Sequence, residues 1–305
     1  MDRQKSIKQS FMETPFFQVD VFTSHIFGGN PLAVFTEAKC FQEDHLQKIS
    51  REMNLSETTF VYPSSVNDAD FDVRIFTPTR EISFAGHPTL GTTFVLRNNG
   101  LITNQQNPIR LKFKAGIIPV WTEEDKGFML HPPPNILQEI NPSEKIAQAL
   151  GLSLIDLDNT LPVQVVSTGF PALLVPVGSL EAMQAITIST RVLQEILEPL
   201  GVSMIYPFCS ETVNSKSTIH SRAFAPDLGI PEDPATGSVA GAMGAYWANL
   251  KGPKDMVMVI EQGYEMGRPS TIHVEILKQG GKIEKIRVGG ETQPVFSGIM
   301  SLNTA

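Results

Sequence analysis

Short runs rich in β-branched and aromatic residues recur along this chain. Glycine, proline or asparagine cuts each one off, the pattern of strands bounded by turns. In the first half the runs fall at Phe16–Phe22, Leu32–Phe35, Thr58–Tyr62, Phe71–Phe76, Leu111–Phe113 and Ile117–Val120. In the second they fall at Val163–Ser167, Ala172–Val177, Ile205–Cys209, Ser221–Phe224, Met256–Glu261, Thr271–Ile276 and Lys285–Val288. Helices are predicted at Gln42–Met53, Ser143–Leu150 and Thr190–Leu200, with two more at Pro88–Leu96 and Pro234–Leu250. Strand runs broken by a few helices predict an α+β fold rather than a regular βαβ alternation.

The pattern also repeats. Arg74-Ile75-Phe76-Thr77-Pro78 has an echo in Arg222-Ala223-Phe224-Ala225-Pro226, each a strand ending in proline. Pro88 follows the first and Pro234 the second, and each opens an uncharged stretch. Upstream, Gly29-Asn30-Pro31-Leu32-Ala33-Val34 is echoed by Gly169-Phe170-Pro171-Ala172-Leu173-Leu174. Echoes in the same order predict two similar half-molecules.

The stretch Pro234–Leu250 carries no charge, so as a helix it is apolar on all sides and predicts burial. Proline suits a first helical position, which puts Asp233 at the N-cap. Gly237, Gly241 and Gly244 share one helix face, which predicts close approach of another backbone. Pro88–Leu96 has the same proline start, with His87 where the second copy has Asp233. Two such helix starts facing each other across a cleft would offer free N–H groups to a small carboxylate.

With 305 residues, the chain has length for two domains at roughly 100–200 residues each. A composition of 41% hydrophobic and 18% charged residues is that of a soluble globular protein. The formal net charge of -8 and the lack of basic runs argue against nucleic acid or an anionic membrane as partner. Cys40 and Cys209 have no metal or redox spacing and read as reduced thiols of a cytoplasmic protein. The N-terminus lacks the apolar stretch of a secretory signal, and residues 1–13 read as a polar leader. No run approaches the roughly 20 apolar residues of a membrane span. Nothing calls for a cofactor or metal: GxGxxG, HExxH and GxSxG are absent, and the histidines have no metal spacing.

Four segments make the chain recognisable: Asn54-Leu55-Ser56-Glu57-Thr58-Thr59-Phe60, Phe84-Ala85-Gly86-His87-Pro88-Thr89, Glu232-Asp233-Pro234-Ala235-Thr236-Gly237-Ser238, and the run from Gln262 to Ser270. Together they resemble the signature segments of the PhzF-like phenazine-biosynthesis family, in the family's order over roughly residues 15–303. The resemblance implies the diaminopimelate-epimerase fold: two pseudo-symmetric domains, each a β-barrel-like sheet around a central helix, with the active site between them. It sets an N-terminal half-domain at 14–123, to which a C-terminal strand at 294–303 returns, and a C-terminal half-domain at 124–293. A homodimer is implied as well.

The resemblance also implies a reaction. The family isomerises trans-2,3-dihydro-3-hydroxyanthranilate by moving a proton from C3 to another ring position, without a cofactor. Glu57 matches the acid/base glutamate. His87 and Asp233 would orient the amino and hydroxyl groups of a small anionic metabolite. Ser238, with N–H groups near Gly86 and Gly237, would bind its carboxylate, and Asn30 matches a position near the site. Taken alone, Glu57 reads as a solvated acid at a strand start, Asp233 as a cap, His87 and Asn30 as turn residues, and Ser238 as a helix-interior serine. Arg268-Pro269-Ser270 would shape the cleft. Epimerase relatives use two facing cysteines, whose places match Ala85 and Pro234, so two-thiol chemistry is disfavoured. Two other readings fit the same residues: an epimerase working through Glu57 and a second base, and a non-catalytic relative that binds a metabolite or protein.

Overall fold

The computed structural model describes residues 11–103, 105–252 and 254–303. The leader read at residues 1–13 lies outside the described residues as far as residue 10, and from Phe11 the chain is already strand. The first half contains β1 (Phe11–Val21), β2 (Asn30–Phe35), α1 (Glu43–Met53), β3 (Glu57–Pro63), β4 (Phe71–Phe76), β5 (Glu81–Ile82), α2 (Gly86–Asn98), β6 (Ile109–Phe113), β7 (Gly116–Glu123) and β8 (Lys126–Leu130). The second contains β9 (Asn135–Ile140), α3 (Glu144–Ala149), β10 (Val163–Ser167), β11 (Pro171–Pro176), α4 (Leu180–Ala185), α5 (Thr190–Leu200), β12 (Ile205–Cys209), β13 (Ile219–Ser221), α6 (Gly237–Lys251), β14 (Met256–Gln262), β15 (Ser270–Gln279) and β16 (Lys282–Asn303).

Eight strands close on themselves in the order β1-β2-β3-β4-β6-β7-β8-β16, because β16 also pairs with β1. This barrel wraps α2, of which Thr89 to Thr93 are all buried. From β16 the sheet continues β15-β14-β13-β12-β11-β10-β9 around α6. A single long strand therefore serves both halves. Its first part pairs with β15 and β8, and from Thr292 onward it pairs with β1. Both central helices are buried as their lack of charge predicts, and the fold is the α+β architecture expected, a closed barrel around α2 and an open, barrel-like sheet around α6.

The duplication is visible in matching pairings. Parallel strands need a crossover helix. In the first half α1 links β2 to β3, with Leu46 and Ile49 buried beneath the sheet and Asn54 ending the helix at a φ of 51°. In the second half α4 and α5 link β11 to β12. Arg74 lies over the ring of Phe76 at 5.1 Å and Arg222 over that of Phe224 at 5.0 Å. Each guanidinium also forks onto the glutamate that precedes its central helix: Arg74 holds Glu81, both bonds at 2.8 Å, besides Glu43 at 2.6 and 2.7 Å, and Arg222 holds Glu232 at 2.8 and 2.9 Å. Both glutamates stand five residues before a helix start, at Gly86 and Gly237. The sequence echo is thus an Arg–Glu fork that locates each central helix, a geometry in which two parallel N–H···O bonds fix direction as well as distance.

The helix starts correct the sequence reading. Helix α6 begins at Gly237 with Thr236 at its N-cap, not at Pro234 with Asp233 as cap. The reason is that residues 233–236 are held from outside. Asp233 accepts from Asn30 and from Thr236 Oγ1, and the Pro234 carbonyl accepts from Ser270 Oγ. Helix α2 likewise begins at Gly86, so Pro88 is its third residue. The counterpart of Ala85 is therefore Thr236 rather than Pro234, and that of His87 is Ser238 rather than Asp233.

Of the three α6 glycines only Gly237 meets backbone, that of Gly86. Gly241 lies under His131, and Gly244 under Val274 and Ile276. The strand predicted at Ser221–Phe224 instead runs from Ile219 to Ser221. Pro207 in β12 has no N–H to continue the ladder, so Phe224 makes only an isolated bridge with Ile205. Among the described residues no helix is long and apolar enough to cross a membrane.

Candidate active site

Glu57 is the first residue of β3, beside Leu32 of β2, and the next four residues of that strand are buried. A strand buried on both faces leaves its first residue little access to water, and Glu57 is only 7% exposed. Its Oε2 lies 3.3 Å from Nε2 of His87, which enters from the first turn of α2. Neither atom has a hydrogen-bond partner among the described residues. Burial and, second, the charge of Asp233 push the Glu57 carboxyl up to about 8. Burial alone pushes His87 down to about 3, so its imidazole is neutral. These are the shifts expected when ionisable groups leave water unpaired.

Asp233 is pushed up to about 6 by burial, which the bonds from Thr236 and Asn30 partly oppose. Its contacts are 2.6 Å from Thr236 Oγ1 and 2.7 Å from Asn30 Nδ2. Asn30 also donates to the Ala235 carbonyl and accepts from Ser56 Oγ. It is fully buried, and its amide is committed to holding Asp233 from behind rather than lining the cavity.

A cavity of about 710 Å³ lies between the halves. Glu57, Gly86 and His87 line it from one side, and Asp233, Gly237 and Ser238 from the other. The helix starts touch: a Cβ on Gly86 would lie 3.1 Å from the Ser238 nitrogen and 3.2 Å from the Gly237 carbonyl carbon. Glycine at Gly86 is what lets the two backbones meet. The first-turn N–H groups of each helix have no carbonyl within their own helix to bond. Two positive helix ends thus converge on the chamber that holds Glu57.

Other residues are brought to the site, among them the Arg268-Pro269-Ser270 run expected to shape the cleft, while Gln262, His131, Thr168 and Met204 had no role assigned from sequence. Gln262 donates to the Asp233 carbonyl at 2.6 Å and to Thr236 Oγ1 at 2.9 Å. Ser270 Oγ bonds the carbonyls of Pro234 and Gln262. Arg268 reaches across to Asp20 and to the carbonyls of Gly28 and Gly29, bracing the loop that leads to Asn30. Arg268 and Ser270 therefore support the cleft from outside the cavity wall. His131 and Thr168 also line the cavity, as does Met204.

Met204 has a structural meaning. Leu173 pairs with Ile205 as Ala33 pairs with Thr58, so the position before Ile205 matches the position before Thr58. The second-half equivalent of Glu57 is a methionine. Cys40 is bonded near Thr14 and Glu37, and Cys209, pushed up to about 12 by burial, donates to the Glu211 carbonyl. Neither cysteine lines the cavity. Among the described residues no group of three or more His, Cys, Asp or Glu is set to share a metal ion.

The fold and the sequence are those of a known family. The family model for phenazine biosynthesis-like proteins, PhzC-PhzF, matches residues 19–298. An uncharacterised isomerase of Mesorhizobium japonicum is 36% identical over 293 residues, covering 92% of this chain and 96% of the relative. The trans-2,3-dihydro-3-hydroxyanthranilate isomerase of Pseudomonas aeruginosa is 33% identical over 278 residues, covering 89% and 94%. The crystal structure of the Bacillus anthracis phenazine biosynthesis protein of the PhzF family superposes with a TM-score of 0.88 at 30% identity, covering 95% of this chain and 99% of that one. On fold and sequence alike, the chain belongs to the PhzC-PhzF family of phenazine biosynthesis-like proteins.

Proposed function

We propose that this protein is a cofactor-independent isomerase of a small cyclic amino-carboxylate of the trans-2,3-dihydro-3-hydroxyanthranilate type. Glu57 carries the proton. The observation that supports this most is a buried carboxyl at about 8 facing the cavity, since a general base works best with a pKa near the working pH. In the reading, the Glu57 carboxylate takes the proton from C3, and the electron pair moves into the conjugated ring. The same carboxyl returns the proton at another ring carbon, and the enol formed tautomerises to a ketone. No oxidant or reductant takes part. The N–H groups at the starts of α2 and α6, at Gly86, Gly237 and Ser238, bind the substrate carboxylate. His87 and Asp233 orient the amino and hydroxyl groups, and Asn30 fixes Asp233.

The epimerase reading needs a second base on the opposite face. Met204 holds the position related to Glu57 and Ala85 and Thr236 hold the two N-caps, so no base stands at the symmetry-related places, and the carboxyl across the cavity, Asp233, is held by Asn30 and Thr236. That favours a single shuttling acid. The proposal includes a cytoplasmic homodimer that binds neither nucleic acid nor membrane.

The test is incubation of wild type and Glu57→Gln with trans-2,3-dihydro-3-hydroxyanthranilate in heavy water. Turnover with ring deuteration, lost in the variant, supports the isomerase. Inversion at a stereocentre supports the epimerase instead. A folded wild type without exchange leaves only the fold and family, and unchanged ligand or partner binding in Glu57→Gln would then favour the non-catalytic relative.

A further inference from the structure

Besides the Glu57–Met204 difference, the pseudo-symmetry of the strands breaks on the cavity wall. In the first barrel β16 runs unbroken from its pairing with β8 into its pairing with β1. In the second, β8 and β9 are the corresponding stretch, and Pro132, Pro133 and Pro134 separate them. Prolines cannot donate to a ladder, so the strand stops at His131, whose own N–H still bonds the Ile286 carbonyl at 2.9 Å. The His131 side chain is 6% exposed and lines the cavity.

Its ring is fixed on two sides. Nδ1 lies 3.0 Å from Thr168 Oγ1. Gly241 of α6 passes beneath, where any Cβ would collide with the ring and with Thr168. The other nitrogen, Nε2, is buried with no partner among the described residues. Burial pushes the group down to about 4, so the ring is neutral. An unpaired buried nitrogen is costly to folding and calls for an explanation. Gly241 is four residues beyond Gly237, about 6 Å along the helix axis at 1.5 Å per residue. A substituent of a ring held at the α6 start can therefore reach His131.

We propose that His131 is a specificity-determining residue: its Nε2 hydrogen-bonds a hydroxyl on the bound ring, selecting hydroxylated amino-carboxylates over bare ones. A hydroxyl fits because it both donates and accepts, and so serves whichever tautomer the Thr168 contact leaves. A site built around such a bond discriminates strongly against a ligand that lacks it, since the nitrogen is then left unpaired. His131 has no part in moving the proton. The inference rests on the reading of this cavity as the substrate site, but its test needs no turnover.

The experiment is calorimetric titration of the full chain with anthranilate and with its ring-hydroxylated isomers. At least one isomer is expected to bind wild type about tenfold or more tightly than anthranilate. His131→Phe, which keeps the ring and removes the nitrogens, is expected to abolish that preference while anthranilate itself binds within about twofold of wild type. His131→Gln, whose amide reaches toward the place of Nε2, is expected to restore most of it. If His131→Phe does not fold, Thr168→Val, which frees the ring, is expected to cut the same preference. An equal preference in wild type and variants overturns the proposal, and so does a wild type that shows none. Turnover of trans-2,3-dihydro-3-hydroxyanthranilate, measured separately, judges the isomerase reading alone: an active enzyme whose preference ignores His131 keeps that reading and loses this inference.

Discussion

Nε2 of His87 stands 3.3 Å from Oε2 of Glu57, yet the two do not form a hydrogen bond. With His87 near 3 and Glu57 near 8, both are neutral at pH 7, so no ion pair holds Glu57 in its charged form. If the carboxylate is the form that takes the proton, kcat/KM rises with pH and levels off above about 8. Asp233→Asn removes the second cause of the upward shift and leaves burial, the first. The inflection should therefore move down but stay above the ordinary carboxylate range. The check is the pH profile of kcat/KM for both proteins, and an upward or absent shift in the variant rejects the coupling.

The same shift predicts a conflict between stability and function. A folded-state pKa raised from 4.5 to about 8 means that Glu57 favours folding only while protonated. That contribution is complete below pH 4.5 and is lost as pH climbs through about 8. Glu57→Gln keeps the shape without the titration. The variant should melt close to wild type at pH 4.5 and above it at pH 8.5, by roughly 2–4 °C for each kcal/mol relieved. Thermal melts across that range decide it, and a constant difference at all pH values would mean that Glu57 is solvated.

Much of this was legible in the sequence because uncharged helices and period-two strands leave few places to go. The lack of charge in Pro88–Leu96 and Pro234–Leu250 announced both buried helices, and the R-x-F-x-P echo announced the duplication. The exact helix starts were not legible. Proline is a sound first-turn residue, but the bonds that keep residues 233–236 out of the helix come from Asn30, Gln262 and Ser270, distant in sequence. His131 was hidden for the same reason: a lone histidine before three prolines looks like a loop until Thr168 and Gly241 close around it. Strands β8 and β9 were missed too. β9 is mostly exposed, so its residues lack the apolar alternation that marks a half-buried strand.

A second buried charge cluster has no contact with the cavity. His220 is fully buried between Glu261, 2.8 Å from Nδ1, and Glu265, 2.9 Å from Nε2. Burial opposes its charge, but the two carboxylates outweigh burial and raise it to about 9. Burial likewise opposes ionisation of Glu261 and Glu265 and is the largest single influence on each, but it is outweighed in sum: at Glu261 by the bonds from His220 and from the N–H groups of Asn214 and Val213, at Glu265 by the bond and charge of His220 with the charge of Arg222, so both are lowered. The histidine's contribution is full below about pH 6.5 and gone above about 9, while those of the glutamates are full above about 4.5 and fade on acidification. Their stabilisation overlaps between about pH 4.5 and 6.5. His220→Leu should cost about 3–5 kcal/mol in that window, because it leaves buried carboxylates unpaired. Urea unfolding at pH 6 and pH 9.5 tests this, with the loss expected to shrink at the higher pH.

Met204 tests whether one acid suffices. If Glu57 both takes and returns the proton, residue 204 need only fill space beside the ring. Met204→Leu conserves volume and should cost less than about 1.5 kcal/mol of stability. Its kcat/KM should stay within about tenfold of wild type, a barrier change under about 1.4 kcal/mol. Met204→Glu adds a carboxylate to a cavity already lined by those of Glu57 and Asp233. Two like charges in one dry site cannot both ionise freely, so the inflection of the pH profile should rise above that of wild type. Deuterium delivered from heavy water should stay on a single ring face in all active forms, because the acid that delivers it has not changed. Stereochemical analysis of the labelled product by NMR reads this directly. Loss of turnover in Met204→Leu as complete as in Glu57→Gln would show that the methionine side of the cavity takes part in the chemistry, and the one-acid mechanism would have to be abandoned.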